Sequence, residues 1–431
     1  MTDWRSSTFE VRLGPPGHGG FCVARHEGRV VFVRHGLPGE LVRVVVTEDR
    51  GGSFCRADAV EIVEPSPDRV PATCPVAGPG GAGCCDFSYA TPNAQRALKA
   101  AVVAEQLRRL AGIEREIDVE PLVGADPDES AGGWRTRVRL AVDAQGKAGV
   151  HRYRGSEVIA DLRCPQPVSG AMDGIADQSW TPGADLVIAV DGDGVRHIVE
   201  LAPAARDVHA RNDRGNRSNT ERRRASARRA ATHAPRAESV LAGSGRAAEY
   251  VSGRRWEISA GAFWQAHRGA AQCYSDLIAQ WSGLRSGEHA WDLYSGAGVF
   301  AARLGEQVGS SGGVLGVESA RSAVADGAAA LGDLPWVRLR AGRVERLLEA
   351  AAAPDTVVLD PPRAGASKDV VGPVTARGPA RIVHIGCDPA AFARDLGLYQ
   401  AAGYRLSELR AFDAFPATHH VECVALLEPS A

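Results

Sequence analysis

Short apolar stretches alternate with turn residues in the N-terminal part of the chain. Four of them are rich in β-branched residues and lie at 9–13, 28–33, 40–46 and 54–63, with Gly, Pro and Asp between them. No helical pattern interrupts this series. Short strands at such spacing predict a small β-barrel over residues 1–66.

The middle of the chain, residues 67–245, predicts one helix followed by strands. Apolar residues recur at helical spacing from about 92 to 111, and strand-like alternation follows from 134 to 208. The stretch 135–140 places Arg135, Arg137 and Arg139 on one face of a strand. We interpret this part of the chain as a β-rich central domain.

Residues 206–236 differ from their surroundings, because they hold ten arginines and almost no apolar residue other than alanine. Such a segment buries too little apolar surface to order itself. We interpret it as a basic loop suited to phosphate contact, while a solvated loop without a partner fits the same composition.

The C-terminal part, residues 246–431, alternates strands with helices and therefore predicts an α/β domain. One strand runs into Tyr294-Ser-Gly-Ala-Gly298, and the next strand ends in Glu318. Gly296 and Gly298 let the backbone turn tightly beside a ligand, and Glu318 can accept hydrogen bonds from ribose hydroxyls. The glycine pattern alone also fits a nicotinamide dinucleotide site.

Two features favour S-adenosylmethionine over a dinucleotide. Asp292 precedes the glycines, where a carboxylate suits a cationic ligand and would repel a pyrophosphate. A later buried strand ends in Asp360-Pro-Pro-Arg363. Its polar residues are expected at the ligand-binding edge of an open α/β sheet, and its prolines form a rigid wall there.

Several motifs together resemble the RNA 5-methyluridine methyltransferase family. They are Asp292-Leu-Tyr-Ser-Gly-x-Gly298, Asp360-Pro-Pro-Arg363, Cys387-Asp-Pro389 with Ala393-Arg-Asp-Leu396, Phe415-Pro-x-Thr-x-His-Val-Glu422 and Phe263-Trp-Gln265. The stretch Gly28–Val33 followed by Leu37-Pro-Gly-Glu40 resembles a TRAM domain, an OB-like RNA-binding barrel. The resemblance implies a class I, Rossmann-like methyltransferase domain at 246–431 behind an N-terminal TRAM-like barrel at 1–66.

The resemblance also implies the chemistry. A thiolate that adds to C6 of uracil makes C5 nucleophilic toward the sulfonium methyl, and a base must then remove the C5 proton. We assign Cys387 as nucleophile and Glu422 as base, with Arg363 as a cation that could lower the pKa of the thiol. The residues expected to bind S-adenosylmethionine are Gln265, Asp292, Tyr294, Gly296, Gly298, Glu318 and Asp360. Arg343 stands where relatives often carry an acid or amide that reaches the adenine.

Cys74, Cys84, Cys85 and Cys164 stand in outline where many family members ligate a [4Fe–4S] cluster. The order Gly80-Gly-Ala-Gly-Cys-Cys85 is unusual, since Ala82 takes the place of a ligand and two cysteines are adjacent. A cluster and a vestigial, metal-free site both fit these residues.

The formal net charge of −2 excludes a polybasic nucleic-acid binder, so any basic surface is local. No apolar run suggests a signal peptide or a membrane span, and we expect a cytoplasmic monomer that binds RNA and no membrane. Transfer RNA and large-subunit ribosomal RNA both fit as substrates, and the resemblance favours ribosomal RNA, because some transfer-RNA members of the family lack the barrel. A nicotinamide oxidoreductase and a catalytically silent RNA-binding protein are the alternatives, and the former leaves Cys387 and Glu422 without a role.

Overall fold

The computed structural model describes residues 3–122, 132–204, 236–348 and 352–430. The basic loop predicted at 206–236 lies outside these ranges except for Arg236, which pairs with Asp185 and donates to the carbonyl of Leu201 at 2.9 Å. Within the described ranges, no helix has the length and apolar character that a membrane span requires.

The N-terminal sheet has six strands in the order β1-β5-β6-β4-β3-β2. Strands β4 and β6 pair in parallel, and the other neighbours are antiparallel. Alternate side chains point into one hydrophobic core, where Val42, Val44 and Val46 are buried. The predicted β-module is therefore confirmed, although the sequence pattern missed β3. The strands are β1 Thr8–Arg12, β2 Pro16–Gly17, β3 Phe21–His26, β4 Arg29–Arg34, β5 Leu41–Asp49 and β6 Phe54–Glu64.

The second sheet is antiparallel, in the order β10-β9-β8-β11-β12-β13, and a separate hairpin, β14-β15, follows it. Arg137 pairs with Glu249 at 2.9 Å and Arg139 with Asp185 at 2.7 Å, so acids of the protein hold these strand arginines. The strands are β8 Arg137–Val142, β9 Ala148–His151, β10 Val158–Ile159, β11 Asp185–Val190, β12 Arg196–Leu201, β13 Glu238–Ala242, β14 Arg246–Val251 and β15 Arg254–Ser259.

The third sheet has eight strands in the order β18-β17-β16-β19-β20-β22-β21-β7. Strands β16 to β20 run parallel, and β22 is antiparallel between β20 and β21. The chain moves outward from β16 to β18 and then crosses back to β19. The crevice at the carboxyl ends of β16 and β19 is therefore a topological switch point, where such sheets bind ligands. The strands are β7 Val119–Pro121, β16 His289–Leu293, β17 Gly313–Glu318, β18 Val337–Ala341, β19 Thr356–Leu359, β20 Arg381–Gly386, β21 Tyr404–Asp413 and β22 Glu422–Pro429.

Helices cover both faces of this sheet, over two separate hydrophobic cores. Helix α1 and strand β7 precede the strands of the second sheet in the chain, yet β7 pairs with β21 and α1 packs on α7. The third sheet therefore contains one strand that precedes the second sheet in the chain, together with strands that follow it. The helices are α1 Pro92–Ala111, α2 Ala270–Trp281, α3 Val299–Val308, α4 Arg321–Ala330, α5 Val344–Leu347, α6 Lys368–Thr375 and α7 Pro389–Ala401.

Candidate active site

The glycine turn between β16 and α3 has the strained geometry that its sequence predicts. Gly296 and Gly298 have φ values of 53° and 76°, in the left-handed region. A methyl group on Gly298 would lie 3.0 Å from the side chain of Leu339, so a larger residue would have to displace that side chain and adopt a backbone conformation that favours glycine. The amide of Gly296 donates to Oε2 of Glu318 at 3.2 Å, which places the carboxylate predicted for a ribose beside the turn.

Asp292 is completely buried beneath this turn. Its Oδ2 accepts from the amide of Ala301 at 2.8 Å, while its Oδ1 has no hydrogen-bond partner. Burial raises the pKa of Asp292 to about 8, and the carboxylates of Asp360 and Glu318 add to the effect. A cationic ligand in the crevice would stabilise the ionised form.

A cleft at the switch point joins several of the predicted cofactor residues. It is lined by Phe263, Trp264, Gln265, Ala271, Tyr294, Ser295, Gly296, Ala297, Val299, Phe300 and Asp360. Gln265 donates from Nε2 to Oδ2 of Asp360 at 3.2 Å, which ties the two segments together. Burial raises the pKa of Asp360 to about 7, against the lowering effect of the Gln265 hydrogen bond.

Cys387 and Glu422 lie opposite each other at the end of two neighbouring strands. Strands β20 and β22 are antiparallel with Gly386 opposite Cys423, so the next residue along β20, Cys387, lies beside Glu422. Glu422 is 4% exposed, and its Oε1 has no hydrogen-bond partner. Cys423 is buried in the core on the other side, as predicted.

Electrostatics hold both groups in their neutral forms. Burial, helped by Glu422 and opposed by Arg363, raises the pKa of Cys387 to about 12. Burial also raises the pKa of Glu422 well above its ordinary range, with Asp360 contributing and Arg363 opposing. The cation that the sequence proposed for the thiol is thus present, but desolvation outweighs it.

His420 contacts Arg363, although the sequence analysis quoted it only as part of a motif and gave it no role. Its Nε2 lies 3.4 Å from Nη2 of Arg363. Burial lowers the pKa of His420 to about 3, so the neutral ring can accept from the guanidinium. The signal available in the sequence was its position two residues before Glu422.

Helix α1 supports the segment that precedes Glu422. Lys99 is fully buried, pairs with Asp413 and donates to the carbonyl of Phe415 at 3.0 Å. Oε1 of Gln95 accepts from the amide of Ala417 at 2.7 Å, where the backbone has a positive φ of 65°. The signal available in the sequence was that Gln95 and Lys99, both polar, fall among the apolar positions of the helix.

The four cysteines proposed as cluster ligands converge in the structure. The thiol of Cys85 interacts with those of Cys164, Cys74 and Cys84, and these contacts raise its pKa together with burial. Gln166 donates from Nε2 to the Cys85 sulfur at 3.3 Å, and the four cysteines form no disulfide. Within the described part of the chain, no three His, Cys, Asp or Glu side chains already surround a common ion position.

Arg343 lies at the N-terminus of α5, next to the end of β18. Its side chain is 68% exposed and lies 3.5 Å from Glu345. The side chain of Arg343 therefore points toward solvent and an acid of its own helix.

Comparisons with known proteins agree with this geometry. The tRNA (uracil-5-)-methyltransferase family model matches residues 336–430, and the TRAM domain model matches residues 5–60. An uncharacterized RNA methyltransferase of Streptomyces avermitilis is 43% identical, over 98% of this chain and 98% of its own. The 23S rRNA (uracil(1939)-C(5))-methyltransferase RlmD of Alkalilimnicola ehrlichii is 32% identical, over 98% of this chain and 97% of its own.

Among solved structures, the chain is similar to the tRNA (uracil-54, C5)-methyltransferase of Pyrococcus abyssi, crystallised with S-adenosyl-L-homocysteine. The TM-score is 0.68 at 20% identity, and the match covers 97% of this chain and 100% of the other. At this identity the likeness establishes the fold.

Proposed function

Since the chain belongs to the RNA uracil-C5 methyltransferase family, we propose that it transfers a methyl group from S-adenosylmethionine to C5 of a specific uridine. The observation that carries the proposal is the register of β20 and β22, which sets a thiol, Cys387, beside a carboxyl group, Glu422, near the cleft at the switch point. Uracil C5 chemistry requires a nucleophile and a base that can both reach one uracil ring, the first at C6 and the second at C5.

In the proposed reaction, the Cys387 thiolate adds to C6 of the uracil, and C5 becomes nucleophilic. S-adenosylmethionine supplies the methyl group as an electrophile. Glu422, as a carboxylate, then takes the proton from C5, and the bond between the Cys387 sulfur and C6 breaks to release 5-methyluridine. Arg363 stabilises the thiolate, and the target base must leave its stack to reach the sulfur.

We assign the cleft to S-adenosylmethionine. Asp292 and Asp360 are buried carboxyl groups that a sulfonium or ammonium cation would keep ionised. Glu318 lies beside the turn formed by Gly296 and Gly298, where it can accept from the ribose hydroxyls. Gln265 and Tyr294 complete the lining. The Pyrococcus abyssi enzyme was crystallised with the demethylated form of this donor.

The proposed substrate is ribosomal rather than transfer RNA. A relative that spans the whole chain is named for 23S rRNA, and the barrel, which matches the TRAM model, offers a second surface for RNA. Purified protein should methylate ribosomal RNA from cells that lack the gene, with 5-methyluridine detected by mass spectrometry of nucleosides. Product confined to transfer RNA would overturn the substrate assignment.

The decisive variant is C387A, which should abolish methyl transfer while S-adenosylmethionine still binds. Cys273 on α2 offers a matched control, since it is also half-buried but its pKa is not influenced by Glu422 or Arg363. C273A should keep its activity. Turnover by C387A would refute the covalent mechanism.

We also propose that Cys74, Cys84, Cys85 and Cys164 hold a [4Fe–4S] cluster. The donor type fits, because four thiols lie close together and that of Cys85 interacts with the other three. The thiols would have to turn to share one ion, since in the described residues no three of them surround a common position. A cluster there would cross-link residues 74–85 to Cys164 and so stabilise the segment next to Asp86 and Phe87. Anaerobically purified protein should contain about four iron and four sulfide per chain. An iron content of zero, with the protein folded, would refute the cluster.

A further inference from the structure

The loop Gly17–Gly20 of the N-terminal sheet, here the barrel loop, lies against both segments that carry the proposed catalytic residues. Nε2 of His18 lies 3.0 Å from Oδ2 of Asp388, the residue directly after Cys387. A methyl group on Gly20 would lie 3.2 Å from Nδ1 of His419. The backbone therefore approaches that ring as closely as glycine allows, with Gly20 at a φ of 80°.

The two contacts border a small cavity between the barrel loop and the catalytic segments. Its walls come from the barrel loop, from α1, and from the segments that follow Cys387 and precede Glu422. They are formed by Gly17, His18, Gly19, Gly20, Phe87, Lys99, Val102, Asp388, Pro389, His419 and His420. The barrel loop therefore packs against the segments that carry Cys387 and Glu422 within the same chain.

Asp388 transmits the contact with His18 to the nucleophile. Its Oδ1 accepts from the amide of Ala391 at 2.9 Å and so caps the first turn of α7. Its Oδ2 is the acceptor for His18. Both carboxylate oxygens are therefore engaged, and the backbone between β20 and α7, which carries Cys387, is fixed from two sides.

The charges agree with a hydrogen bond from the His18 ring to a carboxylate. The hydrogen bond to Asp388 is the largest influence on the pKa of His18 and raises it, against desolvation. Burial alone would raise the pKa of Asp388, but the hydrogen bonds from His18 and from the amide of Ala391 bring it below its ordinary value.

We propose that His18 is a positioning residue for the Cys387 thiol, so that the barrel forms part of the catalytic centre in addition to any contact it makes with RNA. The proposal rests on the function proposed above for Cys387. This positioning role is distinct from RNA binding by the barrel, because RNA binding does not require the hydrogen bond between His18 and Asp388.

The test compares H18A with H18Q, whose amide can reach Asp388 about as far as the imidazole Nε2. At saturating RNA, H18A should lower kcat roughly three- to tenfold, the effect expected for one lost hydrogen bond, with KM for RNA little changed. H18Q should keep kcat within about twofold of the wild-type value, because its amide retains the hydrogen bond to Asp388. His26, in the same sheet and stacked on Phe9, supplies the control, and H26Q should leave kcat unchanged.

A second measurement needs neither RNA nor methyl donor. The rate at which iodoacetamide alkylates Cys387, followed by mass spectrometry of its peptide, should rise roughly three- to tenfold in H18A, because the segment is less restrained. H18Q should match wild type. If the wild-type protein forms no 5-methyluridine, the proposed function fails, and this rate still decides the role of His18.

D388N provides the reciprocal variant, because Asn retains the helix cap but loses the acceptor for His18. It should reproduce the loss seen in H18A, and adding H18A to it should cause no further loss; it also carries the test if H18A does not fold. Three results would overturn the proposal: an unchanged kcat with only KM raised, equal defects in H18A and H18Q, or multiplicative losses in the double variant.

Discussion

The clearest test of the proposed site concerns Arg363 and the ionisation of Cys387. Burial and Glu422 raise the pKa of this thiol to about 12, and Arg363 is the cation that opposes them. The substitution R363Q removes that charge but keeps a side chain with amide donors near His420. We therefore expect the thiol of R363Q to ionise at a higher pH than the thiol of the wild-type protein.

The size of the effect follows from the position of the pKa. With a pKa of about 12, about one thiol in ten thousand is ionised at pH 8. An opposite charge within about 4–6 Å lowers a pKa by about 1–3 units. At the lower end of that range, R363Q reduces the thiolate fraction about tenfold, which corresponds to about 1.4 kcal/mol.

The assay is alkylation of Cys387 by iodoacetamide in the protein without ligands, read at the level of the peptide. Between pH 7 and pH 10 the wild-type rate should rise about tenfold per pH unit, since the thiolate is the reactive form. R363Q should run parallel and about tenfold lower, on the charge argument above, and R363K should recover much of the loss. R343Q is the control, because the Arg343 side chain is 68% exposed. A rate for R363Q equal to or above wild type would refute the assignment.

Three further predictions concern other parts of the structure. E422Q should add to RNA through Cys387 but fail to release it, so that a covalent protein–RNA complex accumulates on denaturing gels; release at the wild-type rate would exclude Glu422 as the base. G298A should weaken S-adenosylmethionine binding about tenfold in calorimetry, because the residue has a φ of 76° and its methyl group would lie 3.0 Å from Leu339; unchanged affinity would contradict this reading of the turn. His384 is buried, and burial lowers its pKa from 6.5 to about 3. As the pH falls, this histidine is therefore protonated in the unfolded chain before it is protonated in the folded protein, which lowers the free energy of unfolding by about 2 kcal/mol at pH 5. H384Q should flatten the loss of stability between pH 6.5 and pH 4 in urea unfolding, and an unchanged slope would argue against a neutral buried ring.

The parts of the site that the sequence could predict are those that local order determines. Gly296, Gly298, Asp360 and Cys387 follow β-strands and Glu318 ends one, and parallel strands bring their carboxyl ends to one edge. A recognisable motif at the end of each strand therefore sufficed to predict where the candidate cleft lies. The small N-terminal sheet was predictable for the same reason, since its strands are joined by short turns.

Contacts between distant parts of the chain were not predictable. Lys99 reaches Phe415, and His18 reaches Asp388, across more than three hundred residues. A helical pattern shows that Lys99 lies among apolar residues, but not which carbonyl it will meet. The place of α1 and β7 in the C-terminal domain was not predictable either, because β7 pairs with β21, a strand far along the chain.

The ionisation of the site was also hidden from the sequence, because burial decides it. The sequence offered Arg363 as a candidate cation for the Cys387 thiolate, whereas desolvation in the folded protein outweighs the guanidinium. Asp360 connects this effect to the ligand cleft, since it lines the cleft and also raises the pKa values of Cys387 and Glu422. A cation bound beside Asp360 would act on the same groups in the opposite direction. We therefore expect a cation bound in the cleft to lower the pKa of Cys387 and so to favour the thiolate, which is the form that reacts with electrophiles.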